Sequence, residues 1–178
     1  RFPVLSGGSH TVKIQADCTN AVTEANESDN TWQRTFTWQV PILVSEQHGF
    51  DACTAPSLAQ MRSWWQYSPY FDINIYFGGI SRACAQPNLN ASWVQSVNSM
   101  GWRLIPTWVG PQAPCWRYYH TLSSNASTAY AQGRSDADSA FTAAQQLGLA
   151  IANQSGTVIY YDMEYFPTTN LSCLQAVQ

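Results

Sequence analysis

Charge is what this sequence has least of. Asp, Glu, Lys and Arg make up 11% of its 178 residues, against roughly 25% in an ordinary soluble domain. Eight Lys and Arg against eleven Asp and Glu leave a formal net charge of −3. That balance gives no basic footprint for a phosphate backbone, so nucleic acid is excluded as a partner. No apolar run approaches the ~18 residues of a membrane span, and none is expected. The nucleotide-binding G-x-G-x-x-G and Walker loops are missing, and so is the G-x-S-x-G turn of serine hydrolases. No cofactor is therefore expected. His10, His48 and His120 lie far apart without an H-E-x-x-H, and the cysteines form no C-x-x-C pair, so no metal is expected. An initiator Met and a signal peptide are also missing. The opening RFPVLSGGSH reads as mid-domain sequence, and the chain as part of a longer protein.

Aromatic residues are abundant, at 13% with eight Trp. With so few charges, the surface must draw its polarity from Ser, Thr, Asn, Gln and Tyr. Sequons N-x-S/T occur at Asn26, Asn90, Asn125, Asn153 and Asn170. Together with scarce lysine and the cysteine content, they predict a secreted, extracellular or cell-surface protein.

Two regions differ in rhythm. HTVKIQAD (10–17) alternates apolar and polar, with Val12, Ile14 and Ala16 on one face. After the polar stretch NAVTEANESDN, TWQRTFTWQV alternates again, with Trp32, Phe36 and Trp38 on one side. This predicts a β-hairpin. Two strands alone are marginal in water, so the hairpin is expected to end a truncated β-sandwich over residues 1–42. Glu24, Glu27 and Asp29 lack the D-x-D-x-D-G spacing of a calcium loop, and a solvated turn is expected there.

The second region, residues 47–178, alternates strands and helices. HGFDAC (48–53) reads as a first strand, followed by SLAQMRSWWQYS with Leu58, Met61, Trp64 and Trp65 at helical spacing. FDINIYFGG (71–79) is a second strand. NASWVQSVNSMG (90–101) is a helix presenting Trp93, Val94 and Val97, with a terminal Gly as cap. WRLIPTWVG (102–110) is a third strand, STAYAQGRSDADSAFTAAQQLGLA (127–150) a long Ala-rich helix, and TVIYYDMEYF (157–166) a fourth strand. Such alternation predicts an α/β fold with parallel strands and crossover helices. About four βα units without a nucleotide loop predict the truncated first half of a (β/α)8 TIM-type barrel.

Active sites of such barrels lie at the carboxyl ends of the strands. Those ends carry Asp51, Tyr76, then Trp108 and Gln112, and finally Asp162 and Glu164. Residues two apart on a strand face the same side, roughly 6.5–7 Å apart. Asp162 and Glu164 are therefore expected to point together into the mouth, where mutual repulsion and aromatic surroundings favour keeping one protonated. A protonated carboxyl is what glycosidic cleavage asks of its general acid. Where the sugar is N-acetylated, its own carbonyl can attack while a neighbouring Asp orients the amide. Tyr76, Trp108, Tyr160, Tyr165 and Gln112 make up the expected sugar-binding set. Cys53, Cys84, Cys115 and Cys173 each follow one of the four strands, so two disulfides bracing these loops are expected, in any of three connectivities. The Trp64–Trp65 pair is expected to pack its helix onto the barrel. The competing reading is a non-catalytic carbohydrate-binding or adhesion module that keeps the cleft without turnover.

Two resemblances bear on these expectations. HTVKIQADCTNAVTEANESDNTWQRTFTW resembles the last two strands of a CARDB-type immunoglobulin-like module, which implies an extracellular spacer. GFDACTAP, YFGG, LIPTWVGPQ, GRSDADSAFTAAQQLG and VIYYDMEYF, in that order, resemble a glycoside-hydrolase-like domain of unknown function, related to the family 25 muramidases. The second resemblance implies a polysaccharide substrate, peptidoglycan ahead of chitin. It also implies Glu164 as general acid, Asp162 as the assisting carboxylate and Asp51 as the first-strand aspartate of the site.

Overall fold

A computed structural model describes residues 8–15, 31–38, 45–150 and 158–178. The chain divides into two compact units, Arg1–Val44 and Ser45–Gln178. In the first, β1 (Gly8–Gln15) pairs antiparallel with β2 (Thr31–Trp38). The register sets Thr11 opposite Thr35, whose hydroxyls meet at 2.9 Å, and Val12 opposite Arg34. Ala16, Cys18 and the acidic stretch with Glu24, Glu27 and Asp29 lie outside the described residues.

The second unit runs β3 (His48–Ala52), α1 (Leu58–Tyr67), β4 (Tyr70–Gly78), α2 (Ala91–Met100), β5 (Arg103–Trp108), α3 (Ala126–Leu147), β6 (Tyr160–Tyr161) and α4 (Leu171–Val177). The four strands form one parallel sheet in sequential order. Ile73, Ile75 and Phe77, on one face of β4, pack into the clusters that hold Met61 of α1, Trp93, Val94 and Val97 of α2, and Ala140 and Ala144 of α3. The helices therefore cover one face. Sequential parallel strands with helices on one side are compatible with part of a barrel, whereas a doubly wound sheet has helices on both faces. The opposite face carries Asp51, Asn74, Tyr76, Ile105, Thr107 and Tyr160, among which Thr107 donates to Asn74 Oδ1 at 2.6 Å.

The helix starts explain the sequons. Asn90, Asn125 and Asn170 are the N-caps of α2, α3 and α4. Each Oδ1 accepts from the backbone N–H three residues on, at 2.9, 3.1 and 3.2 Å. Each also accepts from the Ser hydroxyl two residues on, at 2.6, 2.7 and 2.8 Å. The N-x-S pattern is thus the chemistry of satisfying orphan amides at a helix N-terminus. Capping accounts for the pattern at these three positions without glycosylation. Asn26 and Asn153 lie outside the described residues.

The expected glycine cap is present at Gly101, φ 107°, closing α2, and Gly148 at φ 74° closes α3 short of the expected residue 150. Trp65 packs edge-on to Phe71 and tilted on Trp102, and Trp64 meets Phe50 at 5.1 Å. The Trp pair thus secures α1 to the sheet. The fourth strand is shorter than its sequence suggests. Among the described residues only Tyr160 and Tyr161 join the ladder, opposite Thr107 and Trp108. Its neighbour β5 ends at Trp108, and Val109 N–H turns to donate to the Gly78 carbonyl. No strand backbone remains beside residues 163–166 to pair with them.

Candidate active site

Two loop clamps shape the carboxyl end of the sheet. In the first, the disulfide Cys53–Cys84 joins the loop after β3 to the loop after β4. Gln86 donates to the carbonyls of Cys53 and Tyr76 at 2.7 and 3.0 Å, and its Oε1 accepts from Ala55 N–H at 2.7 Å. Asn88 donates to Ala55 O at 2.9 Å and Thr54 to Ala85 O at 3.0 Å. The polar side chains satisfy loop backbone that has no ladder partner. They fix the chain just after Asp51.

The second clamp joins the loop after β5 to the segment after β6 through Cys115–Cys173. Asp162 N–H donates to Trp108 O at 2.9 Å, the last main-chain bond of that edge. Beyond it, Gln112 replaces a strand. Its Nε2 donates to the carbonyls of Asp162 at 2.9 Å and Gly110 at 3.1 Å, and its Oε1 accepts from Glu164 N–H at 2.8 Å. A parallel strand facing Met163 would bond the same two groups, the carbonyl before it and the N–H after it. The side-chain amide therefore prolongs the alternation of Asp162 and Glu164 past the end of the sheet.

Gln112 is 1% exposed, and both ends of its amide are occupied by backbone. Its amide is spent on the backbone of Gly110, Asp162 and Glu164 and is not turned to the mouth, where the sequence reading set it for sugar. Trp108 needs a similar correction. It stands on the helix-covered face at 8% exposure, packed on Phe77 and the alanines of α3, with its indole N–H on Asp136 Oδ2 at 3.0 Å. Odd and even positions of β5 face opposite ways, so Thr107, not Trp108, faces the mouth. Gly78 leaves room for the Trp108 ring, since a Cβ there would collide with it, and Gly79 at φ 105° lies against the Val109 backbone.

Tyr76 lies within electrostatic reach of all three carboxylates. Its phenol is raised above the ordinary value first by burial, then by the charges of Asp51, Asp162 and Glu164. The charges of Asp51 on β3 and of Asp162 and Glu164 beyond β6 thus reach one hydroxyl. Tyr118, in the loop after β5, is likewise raised by desolvation and then by Glu164 and Asp162. Tyr160 is open to solvent opposite Thr107, and Tyr165 stands 69% exposed beside Glu164. Among the described residues no cluster of His, Cys, Asp and Glu is arranged to hold a metal ion.

Sequence reading missed Gln86, Trp116 and Tyr118. The signal for the last two was present: CWRYYH (115–120) crowds four aromatic or imidazole rings into a loop beside a cysteine. Gln86 had no such signal, because a half-buried backbone-satisfying Gln looks like any loop amide in sequence. Behind the site, Tyr161 donates to Pro111 O at 2.7 Å and meets Asp136. Burial, then the charge and hydrogen bond of Asp136, push its phenol well above the usual range.

The two disulfides are consistent with an extracellular protein, and no described helix is long and apolar enough to cross a membrane. No curated protein and no solved structure matches the chain. Residues 63–176 match the family described as Rv2525c-like, glycoside hydrolase-like domain. That match runs from within α1 to α4 and includes β4, β5, β6, Gln86, Gln112, Asp162 and Glu164, with β3, Asp51 and Cys53 lying before it; by it the chain belongs to the Rv2525c-like glycoside hydrolase-like family.

Proposed function

We propose that the protein is a secreted glycoside hydrolase that cleaves β-1,4 bonds of an N-acetylated cell-wall polymer, peptidoglycan first and chitin second. The observation that carries this reading is that Gln112 holds Asp162 and Glu164 by their backbone at the carboxyl end of the sheet, where both charges, with that of Asp51, act on Tyr76. Family membership supports a glycosidase-like role and a carbohydrate ligand. The half-barrel architecture, the kinship with family 25 muramidases and the CARDB-type spacer at residues 1–42 belong to the same proposal. They rest on the sequence motifs, the sequential parallel sheet and the β1–β2 hairpin.

In this proposal Glu164 gives its proton to the glycosidic oxygen as the bond to C1 breaks, and the leaving sugar departs as an alcohol. The N-acetyl carbonyl oxygen of the cleaved residue forms a bond to C1, with Asp162 accepting the amide N–H and stabilising the positive charge that develops. Water then attacks C1, its proton passes to the Glu164 carboxylate, and the acetamide is restored. Asp51 and Tyr76 complete the polar floor. Tyr160 and Tyr165 offer ring faces at the mouth.

The test is reducing-sugar release from purified peptidoglycan and from chitin by the full-length protein, native against Glu164→Gln. Release by the native protein that vanishes in the isosteric amide is the expected result. If neither protein releases sugar while both bind the polymer, the non-catalytic carbohydrate-binding or adhesion module is the correct reading. The exposed aromatic side chains at the mouth favour that second reading as the alternative.

A further inference from the structure

The loop between β5 and α3 carries aromatic residues that the chemistry above leaves unused. Its limbs are drawn together by Gln112 N–H donating to His120 O and Leu122 N–H donating to Gln112 O, both at 2.8 Å. Such closed, compact surface loops are frequently functional. Three further attachments all reach the segment that carries Glu164. Cys115 is bonded to Cys173, Tyr118 Oη donates to Tyr165 O at 2.8 Å, and Trp116 stands edge-on to Tyr165 at 5.4 Å and 87°.

Yet the rings so tethered are not buried. Trp116 is 44% and Tyr165 69% exposed. A core aromatic is held by the burial it gains, and these rings are held by a disulfide and a hydrogen bond while facing water. Rigid aromatics presented to solvent mark a binding surface, because their ordering entropy has been lost before a ligand arrives. Beside them lies a cleft of about 380 Å³ lined by residues 163–169, including Glu164, Tyr165 and Thr168. That volume is in the range of small-ligand sites. A pyranose has apolar C–H faces and a rim of hydroxyls, which match ring faces beside threonine and carboxylate.

We propose that Trp116, Tyr118 and Tyr165, with the cleft beside Glu164, form a carbohydrate subsite that takes one N-acetylated pyranose ring adjoining the bond to be cleaved. The sugar stacks on the face of Trp116 with Tyr165 standing perpendicular beside it, and the Cys115–Cys173 bridge keeps that pair in place. This rests on the reading that the ligand is a carbohydrate, but not on turnover.

The experiment titrates a chitin tetrasaccharide into the full-length Glu164→Gln protein, followed by calorimetry and tryptophan fluorescence. Trp116→Ala in that background is expected to weaken binding about tenfold. Trp116→Phe keeps most of the affinity while losing the fluorescence change. Cys115→Ser/Cys173→Ser weakens binding with the aromatic residues intact. Nonreducing peptide mapping of Cys115–Cys173 in Trp116→Ala checks that the loop is still seated, and Tyr165→Ala gives a second truncation of the platform. Equal affinity in parent, Trp116→Ala and Tyr165→Ala overturns the subsite and leaves the carbohydrate reading intact. A parent that binds no tetrasaccharide overturns both.

Discussion

The two loop clamps use the same parts to different ends. Each pairs a disulfide from one βα loop to the next βα unit with a glutamine whose amide is spent on backbone: Cys53–Cys84 with Gln86, and Cys115–Cys173, the last on α4, with Gln112. The first sits over a dense core of Met61, Ile73, Ile75, Trp93, Val94, Val97 and Trp102, and acts on residues after Asp51. The second sits over the alanine-lined packing of α3 and α4, and acts on Asp162 and Glu164 themselves. Around it gather Trp116, Tyr118 and Tyr165. A clamp over a strong core is chiefly structural. A clamp at the sheet edge, where the ladder stops at Tyr161, holds the backbone that carries the carboxylates.

Removing the bridges should expose that contrast most strongly. Sequence separations of 31 and 58 give loop-closure contributions of about 4 kcal/mol each. Thermal unfolding of Cys53→Ser/Cys84→Ser and Cys115→Ser/Cys173→Ser should therefore show comparable losses. Only the second pair should also weaken saccharide binding at a temperature where both stay folded. Equal binding losses would dissolve the distinction.

The glutamines sharpen it at the next level. Gln112→Leu leaves the Glu164 N–H and the Asp162 carbonyl without partners, at about 1–3 kcal/mol for a buried polar group. A displaced Glu164 is expected to lower kcat on the order of a hundredfold with a smaller change in KM. Gln86→Leu loses similar stability, and sugar release per folded molecule falls far less. If Gln112→Glu restores folding but not kcat, the donor to Asp162 O is the half that matters.

Cap removal makes a smaller difference. Asn125→Ala and Asn170→Ala should each cost about 1 kcal/mol in urea unfolding, and mass spectrometry of the native protein locates any glycan. Asn170 caps the helix that holds Cys173, so its loss should also reduce saccharide binding slightly, whereas that of Asn125 should not.

The smallest effect lies behind the second clamp. The Tyr161 phenol is raised in the folded chain, so the fold prefers its neutral form. Its contribution is full below the ordinary phenol value of 10.0 and is lost as pH rises through the higher folded value. Stability measured from pH 9 upward should fall more steeply in the native protein than in Tyr161→Phe. Parallel curves would show that Asp136 and burial exert no such hold.

Much of the architecture was legible because period and punctuation report it directly. Strand 71–79 was expected and 70–78 found, helix 90–101 was expected and 91–100 found with its Asn and Gly caps. The site was legible only in part. Asp51, Asp162 and Glu164 sit at strand ends, which alternation and order locate. The orientation of Trp108 was not legible, because a Trp at a strand end fits either face until a helix such as α3 claims it. Gln112 was singled out for the wrong contact, since sequence does not tell an amide that meets solvent from one spent on backbone.

By itself, the sequence determined the strand–helix alternation, the helix caps and the order in which the carboxylates and cysteines follow the strands. These depend on neighbours within a few residues, and local chemistry is written in local order. Tertiary structure decided which cysteines pair, that the charges of Asp51, Asp162 and Glu164 all reach Tyr76, and that a side chain 50 residues away from Asp162 stands in for a missing strand. Those contacts exist only after parallel strands have been brought side by side by crossover helices, and no period along the chain encodes them.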